Sequence, residues 1–342
     1  DAVAPLNAPQ YSNYALWQQS LLCDPAKVEA LTEFWKSAVT GIPPLSIPRD
    51  CPQQASVSFH ADKVHFTIDH TIVQGVQRAC GQHNCTVFHG LIAMYGYLLS
   101  MMSIEGQDGV GVAFPYANRS SIAGLGNIQG YFVNMLPILI RPNGNVAQLL
   151  GTVRHAVVEA IRHADLPFRR IVNAAGCSQT SSMNPLTQAM FILQPAPPPT
   201  LNIENVEVDR IPLDIDTTMF EVSMELWPST SGGLDGTLAY MTDFFDKDTA
   251  TRLTGRFAAM LQNLACRHVH CDPLPNMWLP QAEKAEIRSL TQEVPHSQAP
   301  QATTLVDVFS AAVQRSPEAV AVVTSSETLC YAELDRRANL IA

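Results

Sequence analysis

A histidine and an aspartate four residues apart, His65 and Asp69, form a pair whose types and spacing suit proton transfer. A carboxylate can hold an imidazole so that it acts as a general base. The same two residues also fit the outer face of a strand, because Val64, Phe66 and Ile68 alternate with them as an apolar set. We favour this second interpretation, in which His65 and Asp69 face water.

Asn134 is the one amide in the apolar segment from Gly130 to Pro137. Burying a polar group without partners costs about 1–3 kcal/mol, so a buried amide here needs hydrogen bonds. Two interpretations stay open at this point. Asn134 ties together neighbouring backbone, or it lines a binding site.

Three further polar residues stand where elements are predicted to end. Arg119 follows a predicted strand, where a guanidinium can bind a carboxylate through two hydrogen bonds or can hold nearby structure, and we favour the structural role. His163 and Asp165 follow a predicted amphipathic helix that Pro167 helps to end. The helix dipole favours a histidine at that end in any case.

The segment from Cys266 to Asp272 contains thiol and imidazole side chains, which are zinc ligand types. Its spacing is too tight for four tetrahedral ligands, so we favour a helix end with basic residues and expect no metal. The chain has no Gly-x-Ser-x-Gly elbow, no glycine-rich phosphate loop and no dinucleotide-binding fingerprint.

Composition excludes several classes of protein. The chain has 342 residues, 46% of them hydrophobic and 15% charged, so it can build a large core. Its net charge of −10 argues against nucleic-acid binding. The apolar run from Val87 to Ile104 predicts a buried core helix rather than a membrane helix, since it is short and contains His89 and two glycines. The eight scattered cysteines indicate reduced thiols and a cytoplasmic location.

Hydrophobic periodicity predicts a chain that mixes helices and strands without a strict βαβ rhythm. Helices are predicted over 11–40, 71–82, 86–103 and 145–162, from Asp246 or Asp248 onwards, and from Leu305. Strands are predicted over 57–68 (as two strands or one bent strand), 109–117, 131–140, 187–194, 205–212, 220–227 and 236–245. This pattern fits an α+β fold with a mixed sheet and helices packed on it.

Seven ordered segments resemble the core motifs of the condensation domains of nonribosomal peptide synthetases. The first is Tyr11-Ser12-Asn13-Tyr14-Ala15-Leu16-Trp17-Gln18, with Asn13 in place of the usual acid. The others are Phe34-Trp35 with the following 41–50, then 115–119, 129–137, 163–168, 183–186 and 240–246. Any one of these matches is weak, but seven in family order are specific.

The resemblance implies half of a two-lobed fold built around a tunnel, similar to chloramphenicol acetyltransferase. It divides the chain into a bridging helix and linker (1–54), a C-terminal lobe (55–275), an inter-domain linker (276–303) and a last segment (304–342). In this family a His-His-x-x-x-Asp-Gly motif of the first lobe carries catalysis. No such motif is present in this sequence, so the resemblance places the catalytic histidine upstream of Asp1.

The resemblance also assigns roles to individual residues. Asn134, Arg119, Asp165 and His163 are expected to line or support the tunnel. Structural motif residues are expected at Tyr11, Trp17, Gln18, Pro167, Phe168, Asn184, Pro185 and Asp243. No cofactor is expected to bind directly. The partners would be peptidyl or acyl carrier domains, which bring phosphopantetheine arms.

The last segment, from Thr304 through Leu334, resembles the opening of an adenylation domain. The ATP-binding motifs of that family would lie beyond Ala342. The order of condensation and then adenylation is that of an elongation module. Three alternatives stay open: an epimerisation relative, a cyclisation relative, or a catalytically silent module that only docks carrier proteins.

Overall fold

The computed structural model describes residues 10–51, 57–104, 107–119, 125–176, 184, 186–195, 206, 215–266, 279–290, 304–324 and 327–340. The chain divides into two compact units, Asp1–Pro280 and Gln281–Ala342. The boundaries predicted at residues 54, 275 and 303 stay predictions.

A six-stranded mixed sheet forms the centre of the first unit. Its strands are β1 (Ala61–Ile68), β2 (Val110–Tyr116), β3 (Asn134–Ile140), β4 (Ala189–Leu193), β5 (Val222–Pro228) and β6 (Leu234–Met241). They lie in the order β1-β6-β5-β4-β2-β3. The pairs β1/β6, β5/β6 and β2/β3 are antiparallel, whereas β4 pairs parallel to both β2 and β5. The α+β, chloramphenicol-acetyltransferase-like prediction is confirmed.

Seven described helices accompany this sheet in the first unit. They are α1 (Tyr11–Leu22), α2 (Pro25–Val39), α3 (His70–Gly81), α4 (Val87–Met102), α5 (Val146–Arg162), α6 (Phe168–Ala174) and α7 (Lys247–Cys266). The single helix predicted over 11–40 is wrong, because the chain breaks between α1 and α2. Asp24 caps α2 by accepting a hydrogen bond from the backbone N–H of Lys27 (3.3 Å), and Pro25 occupies the first helical position.

Helix α4 is the buried core helix that its apolar run predicts. Every residue from His89 to Leu99 is buried. Thr86 caps its N-terminus, and the His89 side chain accepts a hydrogen bond from the Thr86 backbone N–H at 3.0 Å. A Cβ on Gly96 would overlap the Ile140 side chain, so glycine lets α4 approach β3 closely. Of the helices in the described part of the chain, none has the length and apolar character that crossing a membrane requires.

Residues 42–51, the connector segment, run from α2 to the rest of the first unit and are held at several points. The backbone N–H of Leu45 donates to the Gln188 side chain at 2.8 Å. Arg49 forms an ion pair with Glu221 at 3.2 Å, and its guanidinium lies 3.8 Å from the centre of the Phe244 ring. Asp50 accepts a hydrogen bond from the backbone N–H of Asp246 (3.0 Å). Residues 42–51 are therefore packed into the first unit.

One predicted strand begins later in the structure, and another falls mostly outside the described residues. The strand predicted over 131–140 begins only at Asn134, so Tyr131, Phe132 and Val133 lie outside it. The strand predicted over 205–212 lies outside the described residues except for Val206.

The second unit contains α8 (Gln281–Leu290), α9 (Leu305–Arg315), β7 (Val320–Val323), β8 (Thr328–Cys330) and α10 (Tyr331–Asn339). Strands β7 and β8 form an antiparallel hairpin. Thr304 caps α9 in a reciprocal pair with Asp307, which confirms the helix predicted from Leu305. Helix α8 falls inside the segment predicted as a linker, and its alanine, glutamate, lysine and arginine residues are strong helix formers.

Candidate active-site lobe

Helix α1 and the segment 130–137, more than a hundred residues apart in sequence, pack directly on each other. The Tyr11 hydroxyl donates to the backbone carbonyl of Tyr131 at 2.9 Å. The rings of Tyr11 and Tyr14 meet the ring of Phe132 edge to face, with centroids 5.3 and 4.7 Å apart. A Cβ on Gly130 would overlap the Tyr11 ring, so this contact requires glycine. The two most informative motifs of the sequence therefore form one structural feature.

A small apolar cluster lies behind this contact and is separate from the main core. Its buried members are Tyr14, Leu125, Ile128 and Phe132, and Trp17 packs against it. The motif residue Trp17 thus has a packing role.

Arg119 fixes the loop that carries this cluster. Its guanidinium donates to the backbone carbonyls of Leu125 (2.9 Å), Ile128 (2.7 Å) and Gly130 (3.3 Å). It also lies 4.4 Å from the centre of the Phe132 ring. These contacts organise backbone rather than a bound carboxylate. A part for Arg119 in a substrate tunnel stays a prediction.

The side-chain amide of Asn134 connects the start of β3 to residues 164–168. Its nitrogen donates to the carbonyls of Ala164 and Leu166, both at 2.8 Å. Its oxygen accepts from the backbone N–H groups of Met135 and Phe168, both at 3.0 Å. An amide offers two donor hydrogens and two acceptor lone pairs. All four are used, and Asn134 is half-buried at the first position of β3 rather than deep inside a strand.

His163 turns away from Asn134 towards helix α2. Its ring stacks on Phe34 with centroids 3.6 Å apart and planes 8° apart. Its Nδ1 lies 2.8 Å from the carbonyl oxygen of Glu159, so that nitrogen carries the proton. The backbone carbonyl of His163 accepts a hydrogen bond from the Trp35 indole at 2.8 Å. The structure therefore places His163 among packing contacts of α2.

A cavity of about 340 Å³ opens between α1, the start of β3 and the segment 164–168, and we call it the Asp165 cavity. Aromatic side chains form much of its wall, from Tyr11, Tyr14, Tyr131, Phe132 and Phe168. Polar groups reach it from Gln18, Asn118, Asn134 and Asp165. Pro167 lines it as well, so six of the predicted site residues come together here: Tyr11, Gln18, Asn134, Asp165, Pro167 and Phe168.

The polar part of this cavity is organised by Asn118. Asn118 is only 3% exposed, and its backbone is left-handed with a φ of 50°, a conformation that asparagine tolerates better than most residues. Its side chain hydrogen-bonds both the Tyr14 hydroxyl and the Asp165 carboxylate. The Tyr14 hydroxyl also accepts a hydrogen bond from the Gln18 side chain at 3.3 Å.

Burial dominates the electrostatics of this group. Burial raises the pKa of Asp165 above its ordinary value, and the hydrogen bond from Asn118 opposes that rise. The pKa of Tyr14 is also raised, first by burial and then by the neighbouring Tyr11, with Asp165 adding to the rise and Asn118 opposing it. Asp165 is therefore a partly desolvated carboxylate beside a buried phenol.

Sequence reasoning missed Asn118 and Tyr14 as members of the site. Both lie inside motifs recognised in the sequence, but nothing there shows that they share a hydrogen-bonded group with Asp165. The one feature of the sequence that points to this position is the residue type of Asn118, since asparagine adopts the left-handed backbone conformation more readily than most residues.

Two other predicted motif residues, Asn184 and Asp243, lie away from the cavity lining. The side-chain oxygen of Asn184 accepts from the N–H groups of Leu186 (3.2 Å) and Thr187 (3.3 Å), which forms a local turn. The buried carboxylate of Asp243 accepts from both the N–H and the hydroxyl of Ser58, each at 2.8 Å. Pro185 lies outside the described residues.

The proton-transfer pair suggested by the spacing of His65 and Asp69 does not assemble. His65 is exposed and its Nδ1 lies 3.0 Å from the Thr237 hydroxyl, whereas Asp69 caps α3 through Thr71. The prediction that both face water is confirmed. Within the described ranges no group of three or more histidine, cysteine or acidic side chains could hold a metal ion. Residues 267–272 of the zinc alternative lie outside them.

Comparison with known proteins identifies the family. A model of the condensation domain matches residues 2–287. Malpinin synthetase of Mortierella alpina is 32% identical over 97% of this chain, and a dimodular nonribosomal peptide synthase of Bacillus subtilis is 29% identical over 99%. The chain spans only 4% and 14% of these two relatives.

Solved structures agree on the fold. A four-domain nonribosomal peptide synthetase bound to AMP and glycine superposes with a TM-score of 0.71 at 21% identity, covering 98% of this chain and 26% of that one. The X-domain from teicoplanin biosynthesis gives a TM-score of 0.68 at 21% identity, covering 77% of this chain and 61% of that one. The family model extends over most of the first unit, so the chain belongs to the condensation domain family of nonribosomal peptide synthetases.

Proposed function

We propose that this chain is part of an elongation module and contributes to peptide-bond formation between a carrier-bound donor thioester and a carrier-bound aminoacyl group. The observation that carries the proposal is the family match over residues 2–287. The packing of α1 on segment 130–137 supports it, because four of the seven motifs that carry the resemblance also line one cavity.

In the proposed reaction the acceptor amine attacks the donor carbonyl. The C–N bond forms, the C–S bond breaks, and the donor thiol leaves and takes up a proton while the amine loses one. The base that assists this transfer would come from a His-His-x-x-x-Asp-Gly motif in a first lobe, because this sequence contains no such motif. This chain would supply the acceptor-side lobe, which shapes the tunnel.

The partners of this lobe would be carrier domains, and their phosphopantetheine arms would bring both substrates. No resident metal or cofactor takes part in the proposed reaction. Because such synthetases work with small molecules and reduced thiols, we place the protein in the cytoplasm.

We further propose that residues 304–342 begin an adenylation domain. The described elements of this segment are the capped helix α9, the hairpin of β7 and β8, and helix α10. The likeness to the four-domain synthetase structure bound to AMP and glycine extends over 98% of this chain, which supports this proposal. The segment alone carries no ATP-binding motif.

Mass spectrometry of the acceptor carrier, with chiral analysis of the released amino acid, separates the candidate activities. The assay would use this chain joined to a first lobe, with both carriers loaded. Condensation adds the donor mass to the acceptor carrier. Epimerisation inverts the amino acid without a mass change, cyclisation adds the donor mass less one water, and a docking module leaves both substrates intact. Any of these three results would reject the proposed function.

A further inference from the structure

The Asp165 cavity is acidic as well as aromatic. Of the described residues that line it, Asp165 is the one acidic residue, and no lysine, arginine or histidine lines it. Its floor is buried, since Tyr14 is 4% exposed and Asn118 is 3% exposed. Tyr131 at its rim is 75% exposed. The cavity is therefore reached from solvent and ends at a carboxylate.

The Asp165 carboxylate is held in place but is not neutralised. Asn118 donates one hydrogen bond to it, whereas an ionised carboxylate accepts about four. Arg119, the cation next to Asn118 in sequence, directs its guanidinium to the carbonyls of Leu125, Ile128 and Gly130. A partly desolvated carboxylate gains more from a cation than an exposed one does, because the local dielectric constant is lower.

We propose that the Asp165 cavity binds the protonated amino group of an alkyl amine. The ammonium would pair with the Asp165 carboxylate, and the alkyl chain would lie against the aromatic wall. Aromatic rings attract cations through their electron-rich faces. The aromatic wall and the Asp165 carboxylate therefore both favour a positively charged ligand. The Asp165 carboxylate would repel an anion, and a neutral alcohol could not form an ion pair with it.

Two sources can present this group: a small free amine, or the cationic side chain of a peptidyl substrate. Calorimetric titration of the 342-residue chain with n-butylammonium chloride probes the first. Titration with N-acetyl-lysine methylamide probes the second. Saturable binding of either probe supports the site, and the tighter of the two names the source. If neither probe binds saturably, the proposal is wrong.

Charge is tested with n-butanol and pentanoate, which both keep the four-carbon alkyl chain of n-butylammonium. We expect both to bind at least about tenfold more weakly than n-butylammonium, a difference of about 1.4 kcal/mol. The substitution Asp165→Asn should remove this preference while keeping an acceptor for Asn118. The matched variant Asp235→Asn, at an exposed position of β6, should leave it unchanged. Equal binding of alcohol and ammonium, or retained preference in Asp165→Asn, would overturn the proposal.

A second measurement needs no variant. Ammonium affinity should fall as the pH is lowered through the pKa of Asp165, because protonation removes its charge, and butanol affinity should stay level. The neighbouring titratable groups do not mimic this effect. Of the described lining residues, the other titratable groups are the phenols of Tyr11, Tyr14 and Tyr131, and none is a second carboxyl. The Arg119 guanidinium is directed to backbone carbonyls, and the His163 ring stacks on Phe34 outside the cavity lining. These titrations measure binding without turnover. A failure of the amines to bind would therefore leave the proposed function unaffected.

Discussion

The backbone N–H of Phe168 donates a 3.0 Å hydrogen bond to the side-chain oxygen of Asn134. The same amide donates to the carbonyls of Ala164 and Leu166. A single side chain therefore fixes the distance between β3 and the turn before α6. Because Asp165 lies within that turn, Asn134 also fixes where the carboxylate of the cavity sits.

Replacing this amide should destabilise the first unit. We expect Asn134→Ala to lower the free energy of unfolding by about 2–3 kcal/mol, because it leaves two carbonyls and two N–H groups without this partner. Chemical denaturation monitored by circular dichroism measures this change. The control is Asn143→Ala, at an exposed loop position, which should stay within about 0.5 kcal/mol of the parent. Equal stability of the two variants would contradict the role assigned to Asn134.

Gly130 should tolerate no side chain. In Gly130→Ala the new Cβ overlaps the Tyr11 ring, so we expect a loss of about 1–3 kcal/mol and a changed environment of Tyr11. Gly126→Ala is the matched control, since its added Cβ meets nothing within 4 Å. Removing the ring with Tyr11→Ala should make the Gly130→Ala change nearly neutral in a double-mutant cycle. Additive effects in that cycle would show that the clash is not the cause.

The ion pair between Arg49 and Glu221 should give a pH-dependent stability. Burial raises the pKa of Glu221 above its ordinary value, and Arg49 opposes that rise. The folded state then binds more protons than the unfolded state between the ordinary pKa near 4.5 and the raised one. The contribution of Glu221 to stability is thus fully present below pH 4.5 and is lost as the pH rises through the folded-state pKa.

Arg49→Met should make this dependence steeper. At neutral pH it leaves a buried carboxylate unpaired, which costs about 3 kcal/mol, and much of that loss should be recovered at acidic pH, below the raised pKa of Glu221, where this carboxyl is protonated. The control is Arg141→Met, whose partner Asp108 is exposed, and it should change stability by less than about 1 kcal/mol at either pH. Melting curves at the two pH values test both variants. A pH-independent loss in Arg49→Met would contradict this account.

The sequence predicted the fold class and most elements because apolar periodicity is strong in the buried parts of this chain. Helices α4 and α5 and strand β2 fall within two residues of their predicted bounds. The predicted helix 11–40 failed because the apolar pattern continues across the break. The break is set by two local features, Asp24 as the N-cap of α2 and Pro25 as the first residue of that helix.

The site was harder to predict because tertiary contacts build it. Residues 131–133 have the composition of a strand, but Arg119 and Tyr11 take the backbone carbonyls of Gly130 and Tyr131. Asn118 hydrogen-bonds Tyr14 and Asp165, which are separated by about 150 residues of chain, and single-sequence patterns do not encode that meeting. The motifs identified segments that line the cavity, but they did not show which side chains of those segments face it.

The most direct test of the proposed function is a time course of dipeptidyl-thioester formation on the acceptor carrier. It compares this chain joined to a first lobe that carries His-His-x-x-x-Asp-Gly with the 342-residue chain alone, using loaded donor and acceptor carriers in both reactions. We predict product only from the joined protein, and loss of product when the second histidine of that motif is replaced by alanine. Product from the chain alone, or none from a folded joined protein with competent substrates, would contradict the account.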